Sequence, residues 1–261
     1  MIDLHNHILP GVDDGARTIE ESREMARALV ARGVTAACAT PHTTEWSSAG
    51  NAADIGARVA DLQSDLDRQG IGLRLLPGAE AHITPQLAKQ VREKQVPTLN
   101  GSQYLLLEFP YDHLPPYHEQ VIFELQLDGI VPIIAHPERI DPIARDPRLL
   151  EQLVRRGCLA QLTASSLTGG FGRKVRAVSE AMLAHHLIHA IASDAHNADA
   201  AGRLAGLDDL HSTAARVVGP VRARELVEDI PAQVIAGGRV VPAPPKPYHE
   251  PRLPFLKGWR S

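Results

Sequence analysis

Cysteine is nearly missing from this chain: two residues in 261, Cys38 and Cys158. Both sit in apolar runs and neither belongs to a CxxC pattern, which argues against a disulfide framework and for two buried thiols. No apolar run reaches the roughly 18 to 20 residues that span a bilayer, and the opening MIDLHNH has neither a basic n-region nor an apolar h-region. No membrane insertion and a cytoplasmic location are therefore expected. Positive charge is not in excess either: 27 Lys and Arg against 31 Asp and Glu leave a net charge of −4. That is too little cation to neutralise a run of phosphates by counterion release, so nucleic acid is not the expected partner. No GxGxxG follows the first apolar run, which removes support for a dinucleotide fold. Four Phe and four Tyr are few beside thirteen His, so the positions of the histidines become the question.

With 44% hydrophobic residues the chain has ample apolar area for a core. Seven short apolar runs read as strands: Met1 to His7, Thr35 to Thr40, Leu73 to Leu76, Tyr104 to Phe109, Val131 to Ala135, Leu159 to Thr163 and Ala190 to Ser193. Amphipathic segments separate them. In Thr18 to Arg32, one face is formed by Ile19, Ser22, Met25, Ala26, Leu29 and Val30, Thr18 with Glu21 predicts a capping box, and Gly33 predicts the end. Further helices are expected at about Ala52 to Arg68, Thr84 to Glu93, Pro116 to Asp128, Pro147 to Arg156 and Phe171 to His186, with later ones near Leu207 to Val218 and Val221 to Val227. Regular alternation makes this an α/β chain with a parallel sheet and helical crossovers. Seven units predict a closed or nearly closed barrel, with a doubly wound open sheet as the alternative. From Pro242 to Ser261 the composition turns Pro-rich and basic, which reads as a loosely held tail; Phe255 and Trp259 would be its anchors if it docks.

The first strand ends in His5-Asn6-His7, and strand alternation puts both rings on one face, able to clasp one ion. An HxH pair alone is as often a hydrogen-bonded histidine. Here, however, nearly every later strand also ends in a ligand type: His42 after Ala36 to Thr40, Glu80 after Leu75-Leu76, Glu108 after three leucines, His136 after Ile-Ile-Ala, then Asp194 and His196. In a parallel barrel those ends converge at one mouth. Asp14 in Gly-Val-Asp-Asp-Gly adds a carboxylate near the first strand, although an Asp-Gly turn needs no metal to explain it. Five histidines and four carboxylates exceed what one ion can bind, so a multinuclear site is expected. Imidazole and carboxylate without thiolate favour Mn, Fe, Zn or Co over Ca or a structural zinc. Three divalent ions among four carboxylates would leave a net positive pocket, one that attracts an anion.

The segments IDLHNHILPGVDDG, ATPH, GAE, LLEFP, IIAHPER and IASDAHN resemble the motifs of the PHP superfamily, and more closely its bacterial protein-tyrosine-phosphatase branch associated with capsule and exopolysaccharide synthesis. The resemblance implies a distorted (β/α)7 TIM-like barrel over residues 1–241, the tail 242–261 outside it, and two to three divalent ions, Mn first. It implies that His5, His7, Glu80 and Asp194 hold one ion, that Glu80, Glu108 and His136 hold a second, and that Asp14, His42 and His196 hold a third. It further implies that Arg139, in HPER, binds phosphate, with Arg203 as the candidate second arginine, and that the partner is a phosphotyrosine protein such as the tail of a bacterial tyrosine kinase.

The expected reaction is phosphomonoester hydrolysis by attack of a metal-bound hydroxide, with a phenol of pKa about 10 as a comparatively easy leaving group. A cysteine nucleophile would need a following anion-binding loop and Arg, which neither Cys38 nor Cys158 has. The rival readings are a histidinol-phosphate or other small-molecule phosphatase, an amidohydrolase, for which the strand-borne Lys is missing, and a metal-bound regulatory module without turnover.

Overall fold

Short apolar runs alternating with amphipathic segments fold as successive β-α units. In the computed structural model, which describes residues 1–43, 52–199 and 202–248, the strands are β1 (Ile2–Asn6), β2 (Ala36–Ala39), β3 (Arg74–Pro77), β4 (Glu80–His82), β5 (Tyr104–Glu108), β6 (Val131–Ala135), β7 (Leu159–Thr163) and β8 (Ala190–Ala192). The longer helices are α1 (Ile19–Ala31), α2 (Ala52–Arg68), α3 (Leu87–Arg92), α4 (His118–Leu127), then a short α5 (Asp141–Arg145), α6 (Arg148–Arg155), a short α7 (Ala164–Thr168) and α8 (Gly172–Ala184). Three more, α9 (Leu210–Val218), α10 (Pro220–Arg224) and α11 (Ile230–Ile235), close the described chain. No helix among the described residues is long and apolar enough to cross a membrane.

Every strand pair is parallel, and the order is sequential, β1-β2-β3 in one sheet and β4-β5-β6-β7-β8 in the other. A sequential order has no reversal point, so the doubly wound alternative is not adopted. Among the described residues the strands fall into two sheets of three and five. The sheets meet through isolated parallel bridges, Asn6 with Ala195 and His42 with Glu80. The third expected strand is present as Arg74–Pro77, and a further short strand that was not expected, Glu80–His82, makes eight where seven were expected. At Gly78, where the chain sidesteps from β2 toward β5, a Cβ would press on Leu99 Cδ2 at 2.9 Å and Thr40 Cγ2 at 3.2 Å, so a larger residue would have to shift those side chains. Glu80 then faces Leu106 of β5 in register.

Strand residues such as Tyr-Leu-Leu-Leu-Glu in β5 and Leu-Ala-Gln-Leu-Thr in β7 are buried throughout, as expected where helices cover a parallel sheet. On α1, Ser22, Met25, Ala26 and Leu29 are the buried face, while Val30 turns to solvent. Thr18 accepts the Glu21 N–H at 3.2 Å, but the Glu21 carboxylate takes the Arg17 N–H at 2.7 Å instead of closing a reciprocal box with Thr18. Gly33 ends the helix at φ +79°. A second apolar cluster joins Leu4, Cys38, Leu76, Leu106 and Ile133 to Ile230 and Val234 of α11, so the last helix plugs the sheets. The beginning of the expected loose tail is held: Lys246 N donates to His185 O at 2.9 Å and Tyr248 N to Glu151 Oε2 at 2.9 Å, with the Tyr248 ring against His185. Phe255 and Trp259 lie outside the described residues.

Candidate metal centre

Because all strands run the same way, their C-terminal ends deliver His5 to His7, His42, Glu80, Glu108, His136 and Asp194 to one place. Glu80, fully buried, is the hub. Its Oε2 lies 3.1 Å from His5 Nε2, 3.4 Å from His7 Nε2 and 3.0 Å from His42 Nδ1, and its Oε1 lies 2.7 Å from His136 Nε2. Glu108 Oε2 stands 3.5 Å from His42 Nδ1, and Asp194 Oδ1 stands 3.5 Å from His5 Nε2. Asp14 Oδ1 is 3.2 Å from His196 Nε2 and 3.6 Å from His42 Nε2. All nine residues singled out from the sequence therefore converge.

Their grouping differs from the one the resemblance implied. His5, His7 and Glu80 form one compact set, His7, Asp14, His42 and His196 a second, and His42, Glu80 and Glu108 a third. His42 is thus shared by two sets and His7 by two, whereas His136, 2.7 Å from Glu80, belongs to none of the three and Asp194 stands at the edge of the first. Long imidazole side chains at adjacent strand ends reach sideways, and strand order alone does not tell how far.

Residues that the sequence reading passed over orient these rings. His7 Nδ1 donates to Asp13 Oδ2 at 2.6 Å, and the same carboxylate accepts the backbone N–H of Gly15 at 3.0 Å and of His42 at 3.1 Å. A Cβ on Gly15 would collide with His7 O and Cβ, so the tight turn needs glycine. His5 Nδ1 contacts Gln161 Oε1 at 2.8 Å. A carboxylate or amide on Nδ1 fixes the tautomer and turns Nε2 inward, as in metal-ligating histidines generally. The sequence signal for Gln161 was there, an amide inside the buried run Leu-Ala-Gln-Leu-Thr. His136 and Asp194 both sit in the left-handed region, with φ of 32° and 53°. For non-glycine residues that conformation is costly and is usually retained at functional positions.

The two arginines singled out from the sequence both reach the centre. Arg139 Nη1 donates to Asp194 Oδ2 at 2.7 Å, and not to Glu138 or Asp141. Glu138 is buried and takes the Thr163 N–H at 3.1 Å. Arg203 Nη1 donates to Asp194 Oδ1 and, at 2.7 Å, to Asp194 O. The Arg139 guanidinium packs against two rings, 5.0 Å from the centre of Tyr111 and 4.7 Å from that of Phe171.

The electrostatics favour a cation at this point. Burial opposes charge on Asp194, but His5, Arg203 and His136 overcome it and bring the carboxyl down to about 2. Glu80 is likewise held well below the usual carboxylate range against burial by His5 and His136. Against burial, Asp13 and Glu80 push His7 up to about 10, and Glu108 and Glu80 push His42 up to about 9. His196 moves the other way, down to about 3, through burial and the positive His7 beside it. Carboxylates this firmly ionised demand positive charge, and either protons or metal ions can provide it. His5 Nε2 and His7 Nε2 face each other at 3.2 Å, and the buried Glu80 Oε2 beside them has no hydrogen-bond partner. Two imidazole nitrogens and a carboxylate oxygen turned toward one another fit a divalent cation that takes the place of the protons, and this nitrogen and oxygen set is of the borderline type.

The thiols stand apart. Cys38 is buried and pushed up by burial and by Asp3, and Cys158 is pushed up to about 12 by burial, so neither provides a thiolate.

The family model for capsular polysaccharide synthesis, CpsB/CapC, matches residues 1–236. The chain is similar to the tyrosine-protein phosphatase YwqE of Bacillus subtilis (strain 168), 43% identical over 197 residues that cover 76% of this chain and 78% of the relative. It is also similar to the tyrosine-protein phosphatase CpsB of Streptococcus pneumoniae, 28% identical over 240 residues covering 90% of this chain and 98% of the relative. A solved structure from work on YwqE of Bacillus subtilis and CpsB of Streptococcus pneumoniae, described as unique metal-dependent tyrosine phosphatases, superposes with a TM-score of 0.89 at 36% identity and covers 95% of this chain and 99% of that one.

Proposed function

The chain belongs to the CpsB/CapC family of capsular polysaccharide synthesis, and from that premise we infer that it is a metal-dependent protein-tyrosine phosphatase whose substrate is phosphotyrosine on the tail of a bacterial tyrosine kinase. The observation that carries the reading is Glu80, a buried carboxylate with four imidazoles around it and two arginines one residue away, on Asp194.

In this reading His5, His7, Asp14, His42, Glu80, Glu108, His136, Asp194 and His196 hold two to three divalent ions, Mn first, with Fe, Co or Zn compatible with the same donors. When bound, such ions polarise phosphoryl oxygens and make water a nucleophile near neutral pH. Arg139 and Arg203 bind the phosphoryl oxygens and oppose the charge that spreads over them in the transition state. Each guanidinium has five donors, so pairing with Asp194 leaves others free to turn to substrate. Asp194 holds the two arginines in place. Asp13 and Gln161 keep the His7 and His5 rings in the tautomer that presents Nε2. The leaving phenolate, with a pKa of about 10, needs little protonation, so no side chain has to act as a strong acid.

The two sheets are read as a barrel of the distorted (β/α)7 kind, opened at Gly78 between β3 and β4, with residues 1–241 as one catalytic domain and 242–261 as an appended segment. A cytoplasmic location follows for an enzyme acting on a kinase tail inside the cell. The test measures phosphate release from a phosphotyrosine peptide, from p-nitrophenyl phosphate and from histidinol phosphate. Each is run on chelated protein and after adding Mn or Co. Restored activity that prefers the peptide supports the reading. Full activity in protein shown to be metal-free overturns the metal role, and preference for histidinol phosphate makes the enzyme a small-molecule phosphatase.

A further inference from the structure

Metal-assisted hydrolysis accepts a phosphomonoester of any alcohol, so selection for a phenol has to come from the walls beside the phosphate. Two large rings stand there with much of their area in water, Tyr111 at 43% and Phe171 at 37% exposure. Both lie against the Arg139 guanidinium, their centres 5.0 Å and 4.7 Å from it. Tyr111 also stacks on His136, with centres 5.4 Å apart and planes inclined by 27°.

Both rings are on anchored backbone. The Tyr111 carbonyl accepts the Asp141 N–H at 2.7 Å, which ties the loop after β5 to the loop that bears Arg139. Phe171 sits in Gly169-Gly170-Phe171-Gly172, where Gly170 N donates to Ser165 O at 2.7 Å and Gly172 N to Gly169 O at 2.9 Å. Beyond Phe171 opens a cavity of about 400 Å³ bordered by Arg139, Ala144, Phe171, Lys174, Val175 and Val178. None of these borders is a candidate metal ligand. Arg139 and Phe171 themselves border the cavity, so a substrate with its phosphate on Arg139 has this space beside it.

We propose that Tyr111 and Phe171 are the aryl-recognising walls of this site: the phenyl ring of phosphotyrosine packs against them while Arg139 holds the phosphate, and the cavity behind Phe171 receives the adjoining peptide. The proposal rests on the phosphotyrosine reading above. A bound phenyl ring would cover aromatic area now facing water, in the offset or edge-to-face contacts such rings prefer. An alkyl phosphate has no ring to offer. The alternative role for the two rings, that they only steady Arg139, would affect aryl and alkyl substrates alike, and this distinction makes the proposal testable.

The experiment uses Mn-loaded full-length protein and the variants Phe171→Ala, Phe171→Tyr and Tyr111→Ala, with metal content measured for each. It compares kcat/KM for phenyl phosphate with that for ethyl phosphate, and the Kd of phenylphosphonate with that of methylphosphonate by calorimetry. The aryl-to-alkyl ratio is expected to fall on the order of 10-fold in Phe171→Ala and Tyr111→Ala, mainly through KM, and to be retained in Phe171→Tyr. The Kd of phenylphosphonate should rise by a similar factor relative to that of methylphosphonate. An unchanged ratio in both alanine variants, whether activity falls equally for the two substrates or does not fall, overturns the proposal. A wild-type protein that leaves phosphotyrosine peptide intact overturns the functional reading itself, a result separable from the behaviour of the variants.

Discussion

Replacing Asp13 with alanine removes a carboxylate that does three things at once. It accepts His7 Nδ1–H at 2.6 Å and the backbone N–H groups of Gly15 at 3.0 Å and His42 at 3.1 Å. Asp13 touches no other candidate ligand side chain, so its loss should act through the orientation of His7 and the position of the His42 backbone. Substitutions of such supporting partners lower metal affinity by roughly 10- to 100-fold, which corresponds to about 1.4 to 2.8 kcal/mol. The value should lie toward the upper end, because one substitution loosens two imidazoles that belong to all three ligand sets. The neighbouring Asp14→Ala is the control. Its side chain is 56% exposed and approaches only His42 and His196, so it should weaken one ion and leave the others. Asp13→Asn, which keeps one acceptor oxygen where the carboxylate offers Oδ1 to Gly15 and Oδ2 to His42 and His7, should fall between. Calorimetric titration of chelated protein with Mn, alongside circular dichroism for folding, reads all three. If Asp13→Ala binds every Mn ion within about twofold of wild type, the supporting role assigned to the carboxylate is wrong.

Arg139→Ala should keep metal content near wild type while kcat/KM on a phosphotyrosine peptide falls roughly 30- to 1,000-fold, about 2 to 4 kcal/mol of lost transition-state stabilisation; wild-type kinetics would move phosphate binding to Arg203. Cys38→Ser and Cys158→Ser should each retain turnover in folded, metal-loaded protein, and its disappearance would mean that the nucleophile has been misassigned. Acid should weaken the fold through His189, which accepts the Ala160 N–H at 3.1 Å and is brought down to about 3 by burial, then by Arg222 and His186. The unfolded chain takes up this proton first, so the contribution is whole above pH about 6.5 and declines by up to about 1.4 kcal/mol per unit as pH falls toward 3. Urea melts at pH 7.5 and 5 should show a smaller acid loss in His189→Asn than in wild type, and an equal loss would remove His189 as a source.

Local pattern alone determined the β-α alternation and the convergence of ligands. A His, Glu or Asp directly after Leu-Leu-Leu or Ile-Ile-Ala has few bland uses, and parallel strands bring such ends together. The same reasoning placed His5 and His7 on one face, where their Nε2 atoms indeed meet at 3.2 Å. What it did not reach depends on contacts between segments far apart in the chain. His5 leans on Gln161, 156 residues away, and no periodicity reports such a pairing. Asp13 and Asp14 are equivalent in a Gly-Val-Asp-Asp-Gly turn until the fold buries one against His7 and leaves the other at the surface. The short strand Glu80–His82 exists by pairing with β5, a segment further along the chain, and lies beyond the run Leu73 to Leu76 that read as a strand, so it was not expected. His42 was assigned to one ion and stands between two groups because side-chain reach, unlike strand order, is a tertiary quantity. Tyr111 and Phe171 gave no signal at all: an aromatic residue in a loop is ordinary in sequence, and only the packed structure brings the two to the same guanidinium.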